Sequence, residues 1–233
     1  MNLTFDIGNT AVKWAAFEGT AMVASGHGAA ADDMVVRAGG VMVCASGDAT
    51  DTMTRLAALN AKVQTLDSDT PLPLRLDYKT PRTLGADRIA AACGAWSLHP
   101  GEASVVVDAG TCITVDFVSA DGVYHGGAIM PGLGMQLRAL HNETARLPLV
   151  GLDGVDRAPV LGRSTEESIL AGTLGATMLA LAGYVALYRE RCPRLNVLLT
   201  GGDALHLTAN GGWELQPSLT MIGMNEILIH NGK

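Results

Sequence analysis

Short apolar runs bounded by Gly, Asn and Asp alternate along this chain with longer stretches of helical periodicity. Residues 3–6, 12–18, 41–45 and 63–66 are short and β-branched or apolar, the pattern of strands. Within 50–60, Met53, Leu56, Ala57 and Leu59 recur at helical spacing. A loop with Pro71, Pro73 and Pro81 follows, then a helix of small residues over 87–97. The second half repeats the theme. Residues 104–108, 112–119 and 128–130 predict strands, with Asp121-Gly122 turning a hairpin. Residues 132–142 and 165–191 predict helices, the second capped by Ser164 or Thr165. A buried strand over 196–200 runs into Gly201-Gly202-Asp203, and a last helix is expected near 222–229. Interspersed strands and helices of this kind predict an α/β fold, each sheet flanked by helices.

The repetition reaches into the local sequence. Phe5-Asp6-Ile7-Gly8-Asn9-Thr10-Ala11-Val12-Lys13-Trp14 is matched by Val107-Asp108-Ala109-Gly110-Thr111-Cys112-Ile113-Thr114-Val115-Asp116. Each copy is an apolar strand with an Asp near its end, a Gly turn with Thr, and a second β-rich run. The two aspartates lie about 100 residues apart, the size of one small domain. Two related domains are therefore expected, 1–101 and 102–233. Composition agrees: of 233 residues, 48% are hydrophobic, only 4% are aromatic and 28 are Gly. A core of Ala, Val, Leu, Ile and Met between close layers suits α/β architecture better than a β-sandwich.

Net charge is −7 and no Lys or Arg cluster tracks a phosphate backbone, which argues against nucleic-acid binding. A polyanion bound here must be small and met by local donors or a cation. Cys44, Cys93, Cys112 and Cys192 are scattered without a C-x-x-C spacing, so reduced thiols are expected, with Cys112 packed. Residues 1–8 lack the basic region of a signal peptide. The longest nearly uncharged helical run, 176–188, falls short of the ~20 residues of a membrane span. A soluble, cytoplasmic protein is expected.

The duplicated loops carry the candidate chemistry. A carboxylate at a strand end, such as Asp6, holds Mg²⁺ through water, while Gly8 lets backbone amides approach phosphate oxygens. Lys13, on the return strand, reaches a phosphate as a point charge. One isolated copy also fits a plain hairpin with an Asx-type turn; duplication favours a site. The second copy keeps Asp108, Gly110 and Thr111 but has Val115 in place of the lysine, so its role should differ. Separately, Gly85-Ala86-Asp87-Arg88 at a helix start offers amides and a guanidinium to a carboxylate. Read alone, it also fits an ordinary capped helix.

Several separated blocks, in one order, resemble the type III pantothenate kinases, members of the sugar kinase, heat-shock protein 70 and actin superfamily. They are Asp6-x-Gly8-Asn9-Thr10-x-x-Lys13, Gly85-Ala86-Asp87-Arg88, Asp108-x-Gly110-Thr111-x-x-Thr114-x-Asp116 and Gly126-Gly127-Ala128-Ile129-x-Pro131-Gly132, continued by Thr144-Ala145-x-Leu147-Pro148 and Gly162-x-Ser164-Thr165. The resemblance implies duplicated ribonuclease H-like, actin-like ATPase domains with a cleft between them. It implies ATP-dependent phosphorylation of pantothenate to 4'-phosphopantothenate, the first step towards coenzyme A. Asp6, Ile7, Gly8, Asn9, Thr10, Ala11, Val12, Lys13 and Thr111 then match ATP contacts, with Asp6 near Mg²⁺. Asp108 matches the ligand of a monovalent cation, K⁺ or NH₄⁺. Tyr78, Gly85, Ala86, Asp87 and Arg88 match the pantothenate pocket, with Asp87 as general base. Thr165 matches a substrate contact contributed by the neighbouring subunit of a homodimer. The departures are Ser164 where many relatives have Asn, and Cys112 where a small Ala is usual.

Other readings stay open. Another small-molecule kinase of the superfamily, or an ATP-binding accessory or regulatory protein, would share the phosphate loops. The block 126–132 fits a cleft wall as well as a ligand contact. Gly201-Gly202-Asp203 resembles the superfamily's adenosine-side loop. Gly172, Gly175 and Gly183, each costing up to ~1 kcal/mol in a helix, fit either packing against the sheet or a dimer seam.

Overall fold

The computed structural model describes residues 1–8, 10–59, 61–155, 157–210 and 212–232. In chain order, the elements of the first stretch are β1 (Asn2–Ile7), β2 (Val12–Glu18), β3 (Ala21–His27), α1 (Asp32–Arg37), β4 (Gly40–Ala45), α2 (Thr50–Ala58), β5 (Val63–Thr65), β6 (Arg75–Leu76) and α3 (Ala86–Leu98). Then come β7 (Ala103–Ala109), β8 (Cys112–Val118), β9 (Val123–Pro131), α4 (Leu133–Asn142), α5 (Thr165–Leu170), α6 (Ala176–Arg191), β10 (Leu195–Thr200), β11 (Glu214–Leu215) and α7 (Leu219–Asn231).

The strand order of the first sheet is β3-β2-β1-β4-β5 and that of the second is β11-β10-β7-β8-β9-β6. Read from β9 to β11, the second repeats the first. In both, the strand carrying the duplicated Asp is central. Asp6 pairs in register with Lys13 on antiparallel β2 and with Cys44 on parallel β4. Asp108 pairs with Thr200 on parallel β10. The sequence duplication is thus a duplication of topology, and the α/β class with two mixed sheets and flanking helices is the one expected.

The chain divides into two compact units: 1–101 with 118–125 and 218–233, and 102–117 with 126–217. Both the hairpin tip and α7 therefore belong with the N-terminal part, whereas a division by sequence order puts them in the second domain. In the first unit, β1 is buried on both faces. Leu3, Phe5 and Ile7 pack with Val35 of α1 and Leu56 of α2, while Thr4 donates to Met221 Sδ of α7 at 3.3 Å. On that second side, α3 and α7 cross closely. A Cβ on Gly94 would meet the Leu219 carbonyl, and one on Gly223 the Ala90 carbonyl. This explains the run of small residues in α3, whose Ile89–Ala95 stretch is fully buried.

In the second unit, Val105, Val107, Leu133, Leu174, Leu181 and Leu199 form the core between the sheet, α4 and α6. Helix α5 begins at the expected cap: Ser164 Oγ accepts from Glu167 N–H at 3.1 Å. A π-helical turn, Ala171–Gly175, joins α5 to α6. The result is one continuous helix of 27 residues, Thr165–Arg191. By length and composition it is apolar enough to cross a bilayer, with a window of mean hydropathy 1.7, of which 33% is buried within the chain. The expectation from the shorter run 176–188 alone understated it.

Candidate active site

In the first unit the central strand delivers Asp6 to the mouth of a tight turn, closed by the Gly8 N–H donating to the Ala11 carbonyl at 3.0 Å. Thr10 and Ala11 lie exposed on that turn and Val12 returns, half-buried, on β2. Asn9, also expected there, lies outside the described residues. Burial pushes the Asp6 carboxyl above its ordinary value of 3.8, Lys13 pulls it back down, and the charge of Asp87 pushes it up again. Lys13, the cross-strand partner of Asp6, and Asp87, distant in sequence, are therefore both electrostatic neighbours of Asp6.

Asp87 sits in the first turn of α3, and its Oδ1 accepts from the Arg88 N–H at 2.8 Å. The carboxylate folds back over Gly85, where a Cβ would collide with the same Oδ1. Gly85 is thus needed for the orientation of Asp87. Arg88 is 7% exposed, and its guanidinium carbon lies 5.9 Å from the ring centroid of Tyr78. Tyr78 in turn packs on Tyr124 of β9, ring centroids 6.0 Å apart. Tyr124 drew no notice in the sequence, because a Tyr inside an apolar strand looks like core, which it also is.

In the second unit Asp108 lies near the end of β7, and Thr111 is exposed on the loop that follows. That loop is tied on both sides. The Gly132 N–H donates to the Thr111 carbonyl at 3.1 Å, and the Asp203 N–H to the Ala109 carbonyl at 2.9 Å. Burial raises the Asp203 carboxyl, while His206 lowers it. Thr165 does not join these groups; it lines a separate cavity of about 770 Å³ with Leu140, Leu147, Arg163, Ser164 and Ile169. Cys112, expected to pack, is exposed because it opens β8 directly beside Thr111; Cys44 and Cys93 are buried, and none of the four cysteines is joined in a disulfide.

Two sheets of one strand order, each presenting an Asp-x-Gly loop from its central strand, make a fold that this chain shares with solved structures that include a ROK hexokinase. The ROK hexokinase of Thermus thermophilus superposes with a TM-score of 0.52 over 99% of both chains at 14% identity. A Baf family protein from Campylobacter jejuni reaches 0.66 at 21% identity, over 99% of this chain and 98% of its own. At such identities the likeness is one of fold. The sequence carries the finer assignment: the family model for type III pantothenate kinase matches residues 2–187. A type III pantothenate kinase from Bacteroides fragilis is 43% identical over 211 residues, covering 87% of this chain and 86% of the relative. This chain belongs to the type III pantothenate kinase family.

Membership in a kinase family implies ATP and a divalent metal. Among the described residues, no cluster of three acids, histidines or cysteines forms a high-affinity metal cage. A half-buried Asp6 destabilised as an anion, with a second carboxylate nearby, fits instead a hydrated Mg²⁺ that arrives with the nucleotide.

Proposed function

We propose that this protein transfers the γ-phosphoryl group of ATP to the primary hydroxyl of pantothenate, giving 4'-phosphopantothenate, the first step towards coenzyme A. The observation that carries the reading is the convergence of Asp6, Lys13 and Asp87 in one unit, beside Arg88 and Tyr78. Arg88 and the amides at the start of α3 take the pantothenate carboxylate. Asp87 Oδ1 is held by the Arg88 N–H, which leaves Oδ2 to orient the hydroxyl. As its oxygen bonds to the γ-phosphorus and the β–γ bridge breaks, the proton passes to Asp87 and ADP departs. Bound Mg²⁺ would neutralise the β- and γ-phosphates, with Asp6 holding it through water. Lys13 and Thr111 meet phosphate oxygens, and Asp108 takes a monovalent cation, K⁺ or NH₄⁺. A cation there suits a chain of net charge −7 that brings few basic groups to a polyphosphate.

The test is ADP release by the purified protein with ATP, Mg²⁺ and K⁺, with and without pantothenate. Turnover that requires pantothenate is expected. ATP binding without pantothenate-dependent turnover would overturn the kinase reading in favour of a regulatory nucleotide-binding protein.

The working form is proposed to be a cytoplasmic homodimer in which Thr165 completes the neighbour's substrate site. Supporting this, Leu179 is 76% and Leu187 60% exposed on α6. Gly172, in the π turn, and Gly183, on α6, have open space where a Cβ would stand. Small and large apolar residues in alternation suit a close helix crossing between copies. In detergent-free buffer, light scattering should give the mass of two chains, and Leu179→Lys should halve it. A monomeric wild type, or recovery only with membranes, refutes the dimer.

A further inference from the structure

The loop that follows β7 is gripped from two sides by glycines, Gly132 and Gly201. A Cβ on Gly132 would run into the carbonyl oxygens of Gly110 and Thr111, and would stand 2.8 Å from the Thr111 carbonyl carbon. A Cβ on Gly201 would stand 2.5 Å from both the Ala109 carbonyl carbon and the Asp108 Oδ1 atom. Real Cβ atoms do not approach so closely, so in either case the loop has to move. At Gly201 the backbone adds a second constraint, with φ at +95°. Three backbone hydrogen bonds complete the grip: Gly132 to Thr111, Asp203 to Ala109, and Gly110 to Cys112 at 3.0 Å.

We propose that Gly132 and Gly201 are positioning residues that clamp the 108–112 loop, Gly201 fixing the carboxylate of Asp108 and Gly132 fixing the backbone at Thr111. The inference rests on the reading of Asp108 as a monovalent-cation ligand and Thr111 as a phosphate contact. The two glycines touch different ends of the loop, so their effects separate. A side chain at Gly201 displaces the carboxylate first, and one at Gly132 displaces the Gly110–Thr111 peptide. Gly132 has φ −64°, a conformation open to any residue, so alanine there meets the loop without straining its own backbone.

The experiment compares Gly201→Ala, Gly132→Ala and, as a matched control, Gly151→Ala, whose Cβ would meet nothing within 4 Å. Two readouts are taken. Hydrogen exchange on a peptide covering 108–112 should quicken in both clamp variants and not in the control. Stabilisation against heat, titrated with KCl against choline chloride, and the KM for ATP should divide. Gly201→Ala should raise the half-saturating K⁺ about tenfold, and Gly132→Ala the KM for ATP about tenfold, the scale of losing a group that orients a ligand-binding residue. Unchanged exchange at 108–112 in Gly132→Ala overturns the clamp, even if Gly201→Ala fails to fold. Quickened exchange in a protein whose wild type ignores K⁺ keeps the clamp and overturns only the cation reading of Asp108. Equal losses of K⁺ response and ATP affinity in both variants would overturn the division of labour between the two glycines.

Discussion

Asp87→Asn should retain ATP and pantothenate binding and lose about 10²- to 10⁴-fold in kcat, the range of a positioned general base. Asn keeps the size of Asp and an oxygen to accept the Arg88 N–H, so the first turn of α3 and the fold over Gly85 survive. What it loses, on the proposed role of Asp87, is the site for the proton of the attacking hydroxyl. Pre-steady-state and steady-state ADP release, with binding followed by calorimetry, separate the two effects. A variant with near-normal kcat would show that Asp87 only shapes the helix start.

Asp6→Asn should do two opposite things. In the ligand-free protein, burial and Asp87 hold the Asp6 carboxyl above its ordinary value despite Lys13. A group whose pKa is raised on folding supports the fold fully below its unfolded value, and that support is lost as pH rises through the folded value. Ligand-free wild type therefore carries a stability cost from Asp6 at neutral pH that the Asn variant lacks. Thermal melts from the ordinary carboxylate range up to neutrality should show the variant melting higher at the neutral end, with the gap closing as pH falls. With Mg-ATP the order should reverse, and kcat/KM should fall about 10- to 100-fold, as expected for a residue that holds a metal through its water shell. A variant that melts lower at neutral pH without ligand would mean that Asp6 supports the fold, chiefly through Lys13.

The fold was legible where side chains announce a pleated, buried strand. The β-branched and aliphatic runs of β1, β4, β7 and β10 are buried as their sequences predict. Strand β3 was not, because Ala21–His27 is built from Ala, Met, Val, Ser and Gly and lies at the sheet edge. The six residues of α1 are too short to show a period. The π turn within the long helix left no sequence signal beyond two glycines that had other uses. The duplication by itself singles out Asp6 and Asp108 as candidates. Two things were hidden: the reach of Asp87 to Asp6 across the first unit, and the need of Gly85, Gly132 and Gly201 for space. Contacts between backbones distant in sequence leave only a glycine behind, and a glycine has many possible reasons.

Helix α7 closes the first unit, and that ordering bears on how the chain comes off the ribosome. Asn225 bonds Asn2 at 3.0 Å and the Gly19 carbonyl at 2.9 Å, while Gly223 nests against Ala90 of α3. Until synthesis has passed these residues, one face of the first sheet and the buried side of α3 have no cover. The unit made first is therefore finished last. Contacts of such long sequence separation are slow to form, so nascent chains should stay protease-sensitive around α3 until α7 emerges, and chaperones that bind exposed apolar helices would find their target there.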